Sequence, residues 1–301
     1  MTVITWHHIP QSSQKSHLSF IPHALSSAQL REVNIGEQKM NDEKQYEGYT
    51  LGPKLNKIHM EDPWRWLAAG WQDFGKNKRC SLAYGAAFSL ITAFILWGMA
   101  QDGQVALFLI FSSGFFLVAP IFAVGLYEAS RRLGRGETPT LKNMMFVKTA
   151  SPLQLGYLGL LLCTMFLLWV RIATLIYALF FGTSDFPPID EFIPMLLNSS
   201  TGAWMLAVGT VIGASFALAA FTISAISIPM MMTRDTDIIT ALVTSVRAVL
   251  NNIKPMMLWA WIIMLFTTFG MTTLGVGMLV VYPLIGHATW HAYKSIVPEE
   301  E

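Results

Sequence analysis

Charged residues are scarce in this sequence. Only 13% of its 301 residues are charged, 53% are hydrophobic, and the formal net charge is +1. A soluble domain usually carries about 25% charged residues, so this chain cannot cover its whole surface against water and part of it must face lipid. The small net charge, without a large basic cluster, gives no indication of a nucleic-acid partner. The lipid bilayer is therefore the first predicted partner.

Cysteine and catalytic motifs are scarce as well. Cys80 and Cys163 are the two cysteines, and each falls in an apolar run, which indicates core residues rather than a disulfide or a metal pair. The sequence has no Gly-rich phosphate loop, nucleophile elbow or His-Glu-x-x-His motif. These absences favour a protein that is not an enzyme.

Long apolar runs, by contrast, are abundant from Cys80 onward. A helix needs about 20 apolar residues to cross a hydrocarbon layer of about 30 Å. The runs predict an all-α polytopic membrane helix bundle of about six spans in three hairpins. These spans lie near 80–99, 105–127, 154–181, 203–229, 255–273 and 276–293. Residues 255–293 are also compatible with one span and a re-entrant segment, because their junction is rich in glycine.

The basic residues predict the orientation of the bundle. Lys and Arg cluster before the first span, between spans two and three, and between spans four and five, whereas the loops at 100–104 and 182–202 have none. By the positive-inside rule, both termini then face the cytoplasm. Residues 1–60 are polar and predicted to form a disordered cytoplasmic tail, residues 61–295 the membrane domain, and residues 296–301 an acidic C-terminal end.

Three similar segments, 62–77, 140–150 and 237–252, each precede a span. They are short and amphipathic, which is typical of helices lying in the membrane interface. Each following pair of spans has a proline near its cytoplasmic end, at Pro120, Pro229 and Pro283. We therefore predict three copies of an interfacial helix followed by a helical hairpin. Small residues in the spans are expected to let helices approach closely, namely Gly156, Gly159, Gly209 and Gly213.

Arg171 is the one charge well inside an apolar run. A charge at the bilayer centre costs about 2.5–3.5 kcal/mol on insertion scales, so Arg171 is expected to face the bundle or a wet cavity. Asp185 or Asp190 is a suggested partner. The alternative is a structural arginine whose head reaches the interface.

His287 and His291 are four residues apart, which places them on one face of a helix. Neutral imidazole is a common ligand, so the pair could hold a metal or haem. Two ligands do not close a site, and the alternative is a pair of interfacial histidines beside the aromatic residues Trp290 and Tyr293.

The loop after span two contains Glu128, Arg131, Arg132 and Arg135. Three arginines at the cytoplasmic face could bind anionic lipid head groups. The simpler interpretation is charge that sets the topology.

Three segments together resemble a family of predicted bacterial integral membrane proteins of unknown function. They are Trp66-Leu-x-x-Gly70-Trp-x-Asp73-Phe, Glu128-x-Ser-Arg-Arg-x-x-x-Gly-Glu137-x-Pro139 and Gly286-His-Ala-Thr-Trp-His-Ala-Tyr293. The resemblance covers about 62–295 and implies a multi-pass protein of the bacterial cytoplasmic membrane. Some members carry a cytochrome c oxidase subunit label, but two histidines are too few for haem–copper catalysis.

Three classes of function follow from these observations. The first is a non-enzymatic protein that acts through membrane-protein partners or lipids, as an assembly, envelope or accessory factor. The second is a transporter or channel for a small solute, favoured by the proline-interrupted helices and Arg171. The third is a haem- or metal-binding accessory subunit of a respiratory oxidase, based on His287 and His291.

Overall fold

The computed structural model describes residues 52–101, 105–182 and 186–298, and these residues form an all-α bundle. Most of the predicted tail and the acidic residues 299–301 lie outside this part. The helices are α1 (Asp62–Lys76), α2 (Lys78–Gln101), α3 (Val105–Phe122), α4 (Val124–Gly134), α5 (Leu141–Met145), α6 (Pro152–Phe181), α7 (Ile189–Asn198), α8 (Ser200–Ser224), α9 (Ser227–Thr233), α10 (Ile238–Asn251), α11 (Ile253–Thr272) and α12 (Met278–Ile296).

Five stretches of the described chain are long and apolar enough to cross a membrane. They are Lys78–Gln101, Leu107–Gly134, Pro152–Phe181, Ser200–Thr233 and Ile253–Thr272. The prediction of a polytopic helix bundle is confirmed. The sixth predicted segment forms α12, a 19-residue helix that contains two histidines and is not among the five. More than half of α12 is buried by neighbouring helices, so protein rather than lipid surrounds its polar side chains.

Helices α11 and α12 form a hairpin, so the end of α12 lies near the beginning of α11. Asn56 links the two ends: its backbone N–H donates to the carbonyl of Ile296 at the end of α12, and its carbonyl accepts a bond from Asn252, just before α11. At the tip, Leu274 and Gly275 have positive φ angles of 54° and 82°. The hairpin therefore resolves the alternative of a re-entrant segment, because α12 runs back to the level at which α11 begins.

A helix forms in each of the three predicted interfacial segments, as α1, α5 and α10. Asp237 caps α10 by accepting from the backbone N–H of Thr240 at 2.9 Å, and Thr140 caps α5 by accepting from Asn143. The second segment differs in length, since α5 has only five residues.

The three units follow one another in a ring. At one end of the bundle, α5 packs on α4, α10 packs on α9, and α1 packs on α12, so each interfacial helix contacts the end of the preceding hairpin. Two pairs of spans follow the same rule, because the first span of one hairpin packs on the second span of the preceding hairpin. In this way α2 packs on α12, and α6 packs on α3. The matching pair, α8 and α11, does not pack closely over residues 200–224 and 253–272, all of which are described. One of the three junctions is therefore open.

A serine of α10 stabilises the break between α8 and α9. The hydroxyl of Ser245 donates to the carbonyl of Thr222 at 2.7 Å and accepts from the N–H of Ile226 at 3.2 Å. These two backbone groups are four residues apart and would bond each other in an unbroken helix. Ser245 is inserted between them, which accounts for the break and leaves no backbone group there unpaired.

Residues 52–60, which the composition assigns to the tail, lie against the bundle. The backbone N–H of Ile58 donates to Asn252, and Leu55 and Ile58 pack on the hydrophobic core. Two apolar side chains and the contacts of Asn56 therefore hold residues 52–60 against the bundle.

Of the four glycines predicted to let helices approach closely, two lie at close contacts and two do not. A Cβ on Gly213 would lie 2.8 Å from Trp169, and one on Gly159 would lie 3.5 Å from Ile121, so both permit close packing. For Gly156 and Gly209 the prediction is wrong, since a Cβ at either position would meet nothing within 4 Å.

Candidate functional site

His287 lies at the centre of a buried polar network. Its side chain is completely buried, and its two ring nitrogens contact serines from two other helices: Nε2 lies 2.9 Å from Ser81 Oγ on α2, and Nδ1 lies 2.8 Å from Ser130 Oγ on α4. Both serines are buried as well. A buried polar group without a partner is costly, and here both nitrogens of the imidazole are satisfied.

Asp73 of α1 extends the network to His291. Its Oδ2 lies 2.8 Å from His291 Nε2. Burial raises the pKa of Asp73, but the hydrogen bonds from His291 and Ser130 and the nearby imidazoles outweigh burial, so the pKa lies below its usual value. The carboxylate therefore stays charged at neutral pH.

The inventory of donors leaves two orders for the network. A neutral imidazole has one N–H donor and one bare nitrogen, so one of the two serines accepts from His287 and the other donates to it. The carboxylate of Asp73, whose lowered pKa has Ser130 among its causes, favours the order in which Ser130 donates to Asp73 and accepts from Nδ1–H of His287. In that order the hydroxyl of Ser81 donates to Nε2.

Glycines let the helices approach closely enough for these bonds. A Cβ on Gly70 of α1 would lie 2.7 Å from the backbone nitrogen of Ala288, and a Cβ on Gly286 of α12 would lie 2.5 Å from Leu126 of α4. Backbone and branched side chains leave little room to adjust. A larger residue at either position would push α12 away from its partners.

The geometry does not fit a metal or haem held by the two histidines. Both nitrogens of His287 are already hydrogen-bonded to serines, and Nε2 of His291 faces Asp73. Within 52–101, 105–182 and 186–298, no group of three or more His, Cys, Asp or Glu residues could hold a metal ion. Neutral imidazole ligates through a free lone pair, and the network leaves His287 none.

Glu128 organises the arginines beside the network. It is 2% exposed and accepts from Arg131 Nε at 2.6 Å and from Arg132 Nε at 2.7 Å, while Arg132 also bonds Glu137 at 2.8 Å. Two arginines are thus matched by two carboxylates. Arg135 is exposed. Three arginines were suggested to bind anionic lipid. Arg135 is the one of them whose exposed guanidinium is not shown bonded to a carboxylate among the described residues.

Arg171 does not join this site. Its side chain is exposed on the surface of α6 rather than buried in the bundle, so the expectation that it faces the interior is wrong. A long side chain can extend along the helix to the interface, and this position agrees with the structural alternative. Asp185, one suggested partner, lies outside the described residues.

A lateral cavity of about 750 Å³ occupies the open junction between α8 and α11. Its lining is mainly apolar and comes mostly from α3, α6, α8, α11 and α12, with residues of α4 and α7 at its ends. Gly209 of α8 lines it, and the open space beside this glycine is part of the cavity. Leu206, Leu218, Trp261 and Met264 also line it and are exposed on the bundle surface. The cavity therefore opens sideways, toward the surface that lipid covers.

The cavity and the polar network are neighbours. Tyr127, Gly286 and Thr289 line the cavity, while Glu128, His287 and His291, at adjacent or near-adjacent positions, belong to the polar contacts. Sequence reasoning identified the histidines and Glu128 but missed Asp73, Ser81 and Ser130. Asp73 and Ser130 stand in the segments that carry the family resemblance, which is the one signal that could have indicated them.

The fold and the site define a multi-pass integral membrane protein of the helix-bundle class. Residues 107–233 match the family described as "Predicted integral membrane protein (DUF2189)", whose function is unknown. This match runs from α3 to the end of α9 and confirms the resemblance to predicted integral membrane proteins. No curated protein and no solved structure matches the chain.

Proposed function

We propose that this protein is a non-enzymatic factor that acts through membrane lipid, holding a lipid chain in the cavity between α8 and α11. The observation that carries the proposal is the open junction. Two of the three equivalent span pairs are packed, and at the third a cavity of about 750 Å³ opens toward the lipid-facing surface. An apolar cavity of this size in contact with a bilayer is suited to an apolar guest.

The polar network supports a binding role rather than catalysis. Ser81, Ser130 and His287 resemble a nucleophile and base in chemistry, but all three side chains are buried, with exposures of 0%, 1% and 0%. A nucleophile must reach its substrate. The network instead holds α1, α2, α4 and α12 together beside the cavity, and an accessory or assembly factor needs such a rigid frame more than a reactive group.

A cavity-filling substitution tests the proposal. Gly209→Leu places a side chain in the cavity, and Gly156→Leu is the matched control, because Gly156 also has open space but lies outside the lining. Both changes replace a helical glycine, so the gain in helix propensity is shared. Lipids retained by the protein purified in mild detergent are identified by mass spectrometry.

We expect a lipid to co-purify with the wild type and with Gly156→Leu, and to be lost from Gly209→Leu. Equal retention in all three proteins, or no retained lipid in the wild type, would contradict the proposal.

A transporter or channel for a small solute is the second candidate, because the cavity follows α8 along most of its length. The lining is mainly apolar, and burying a polar group there without a hydrogen bond costs roughly 2–7 kcal/mol. This candidate therefore applies to apolar solutes. Flux of such a solute into vesicles that contain the protein would favour it over retention alone.

The proposal places the protein in a bacterial cytoplasmic membrane with both termini in the cytoplasm. The basic loops support this orientation. Fluorescent-protein fusions report it: a fusion after Pro298 should fluoresce, and a fusion in the loop at 186–188 should not, since the fluorophore matures in the cytoplasm. The reverse pattern would invert the topology.

A further inference from the structure

The cavity extends along nearly the whole of α8. Residues of α8 and its C-terminal junction line it from Met205 to Ala225, and at about 1.5 Å per residue this distance is about 30 Å. Phe192 and Leu196 of α7 line it at one end, and Tyr127 and Thr289 line it at the other. The hydrocarbon layer of a bilayer is also about 30 Å thick. The cavity therefore reaches across both leaflets.

The cavity is wide enough for an extended hydrocarbon chain. Its volume of about 750 Å³ is spread over about 30 Å, and carbon atoms of neighbouring chains approach to about 4 Å. An extended chain therefore fits along the whole length of the cavity.

A transmembrane helix of a partner protein does not fit this space. An α-helix with its side chains is about 10–12 Å across, more than twice the spacing of about 4 Å between hydrocarbon chains. The exposed residues at the opening, among them Trp261 and Leu218, would have to move apart to admit it. A flexible chain can enter from the side without such a movement.

We infer that the guest is a single linear hydrocarbon chain long enough to cross both leaflets, of the polyprenyl type. An ordinary acyl chain occupies one leaflet, about 15 Å, and would leave half of the cavity unfilled. The inference rests on the proposed function, since it names the class of lipid that the same cavity holds. Lipid tails are as apolar as the cavity lining, so the preference comes from packing contacts. A chain that fills the cavity makes the most of these contacts.

The first test compares chain lengths on the full-length protein in detergent. The probes are a polyprenol long enough to span a bilayer and hexadecanol, each measured by native mass spectrometry as the fraction of protein that binds it. We expect the polyprenol to bind at least about tenfold more tightly, because more of its carbons contact the cavity wall. Equal affinity for the two alcohols would overturn the inference while leaving lipid binding intact.

The second test introduces a leucine side chain at two positions along the cavity. Gly209→Leu obstructs the half near α7, and Ala217→Leu obstructs the half near the break after α8; both residues line the cavity. Ala219→Leu is the control for the second, because Ala219 is exposed on α8 outside the lining. For a single long chain, either obstacle alone abolishes polyprenol binding.

The alternative outcome is two acyl chains that enter end to end from opposite leaflets. In that case each obstacle would remove about half of the retained acyl chains, the double variant would remove all of them, and the inference would be overturned. If neither obstacle changes any retained lipid, the proposed function fails together with the inference. If Ala219→Leu acts like Ala217→Leu, the effect arises outside the cavity and the inference fails.

Discussion

The carboxylate of Asp73 and the imidazole of His291 lie 2.8 Å apart, although 218 positions separate them along the chain. This contact joins the first interfacial helix to the last helix and closes the ring of three units. Its partners are partly shielded from water, with Asp73 buried and His291 about a third exposed. The contact is therefore expected to matter more than an ion pair on the surface.

Asp73→Ala should destabilise the bundle by about 1–3 kcal/mol, because it leaves the hydrogen-bonding groups of His291 and Ser130 without an acceptor. The thermal midpoint of the detergent-purified protein measures the loss. Glu61→Ala is the control, since Glu61 pairs with Arg65 on the exposed surface, where such pairs contribute about 0–1 kcal/mol. Equal shifts for the two variants would show that the Asp73 contact has no special role.

Ser130→Ala should cost more than Ser81→Ala. In the favoured order Ser130 accepts from His287 and donates to Asp73, whereas Ser81 supplies one donated bond. We expect about 1–3 kcal/mol for the first and about 0.5–1.5 kcal/mol for the second. Chemical unfolding of the two variants compares them. A larger loss in Ser81→Ala would contradict the greater contribution expected of Ser130.

The tautomer gives an independent readout of that direction. Nitrogen NMR of labelled His287 should show a proton on Nδ1 and none on Nε2 in the wild type. The reverse tautomer would require Ser130 to donate to His287 instead of Asp73, and the hydrogen-bond order would then be wrong.

The pH dependence of stability follows from the lowered pKa of Asp73. A carboxylate whose pKa is lower in the folded state stabilises the protein above its unfolded pKa, about 3.9. That stabilisation is lost as the pH falls through the folded value. The thermal midpoints of the wild type and Asp73→Asn, measured from pH 7 downward, should therefore differ most at neutral pH and converge in acid. A difference that widens in acid would contradict the sign of the shift.

The protein purified without added metal should show no Soret band and no stoichiometric iron, copper or zinc. The reason is that the serines already occupy both nitrogens of His287. Absorbance and elemental analysis check this beside a His287→Ala/His291→Ala variant. A metal or haem that the wild type carries and the variant lacks would restore the oxidase-subunit hypothesis and place the site on α12.

Arg171 and the histidine pair show where local pattern stops being informative. The spacing of His287 and His291 correctly places them on one helix, but their serine and aspartate partners lie on three other helices. The apolar run around Arg171 indicates a charge within a span, yet its orientation on α6 depends on which face the neighbouring helices cover. Both questions depend on packing between distant segments, and a one-dimensional pattern does not contain that information.

The sequence by itself determined the class of fold. A membrane span is a local property, since about 20 consecutive apolar residues are enough to cross the hydrocarbon layer, and the interfacial segments and their capping residues are local as well. The tertiary structure alone decided which junction of the ring stays open. Gly209 and Gly213 are equivalent in the sequence, one helical turn apart, but Trp169 fills the space beside Gly213 and nothing fills the space beside Gly209. A cavity is an absence of contacts among several helices, and it exists only once all of them are in place.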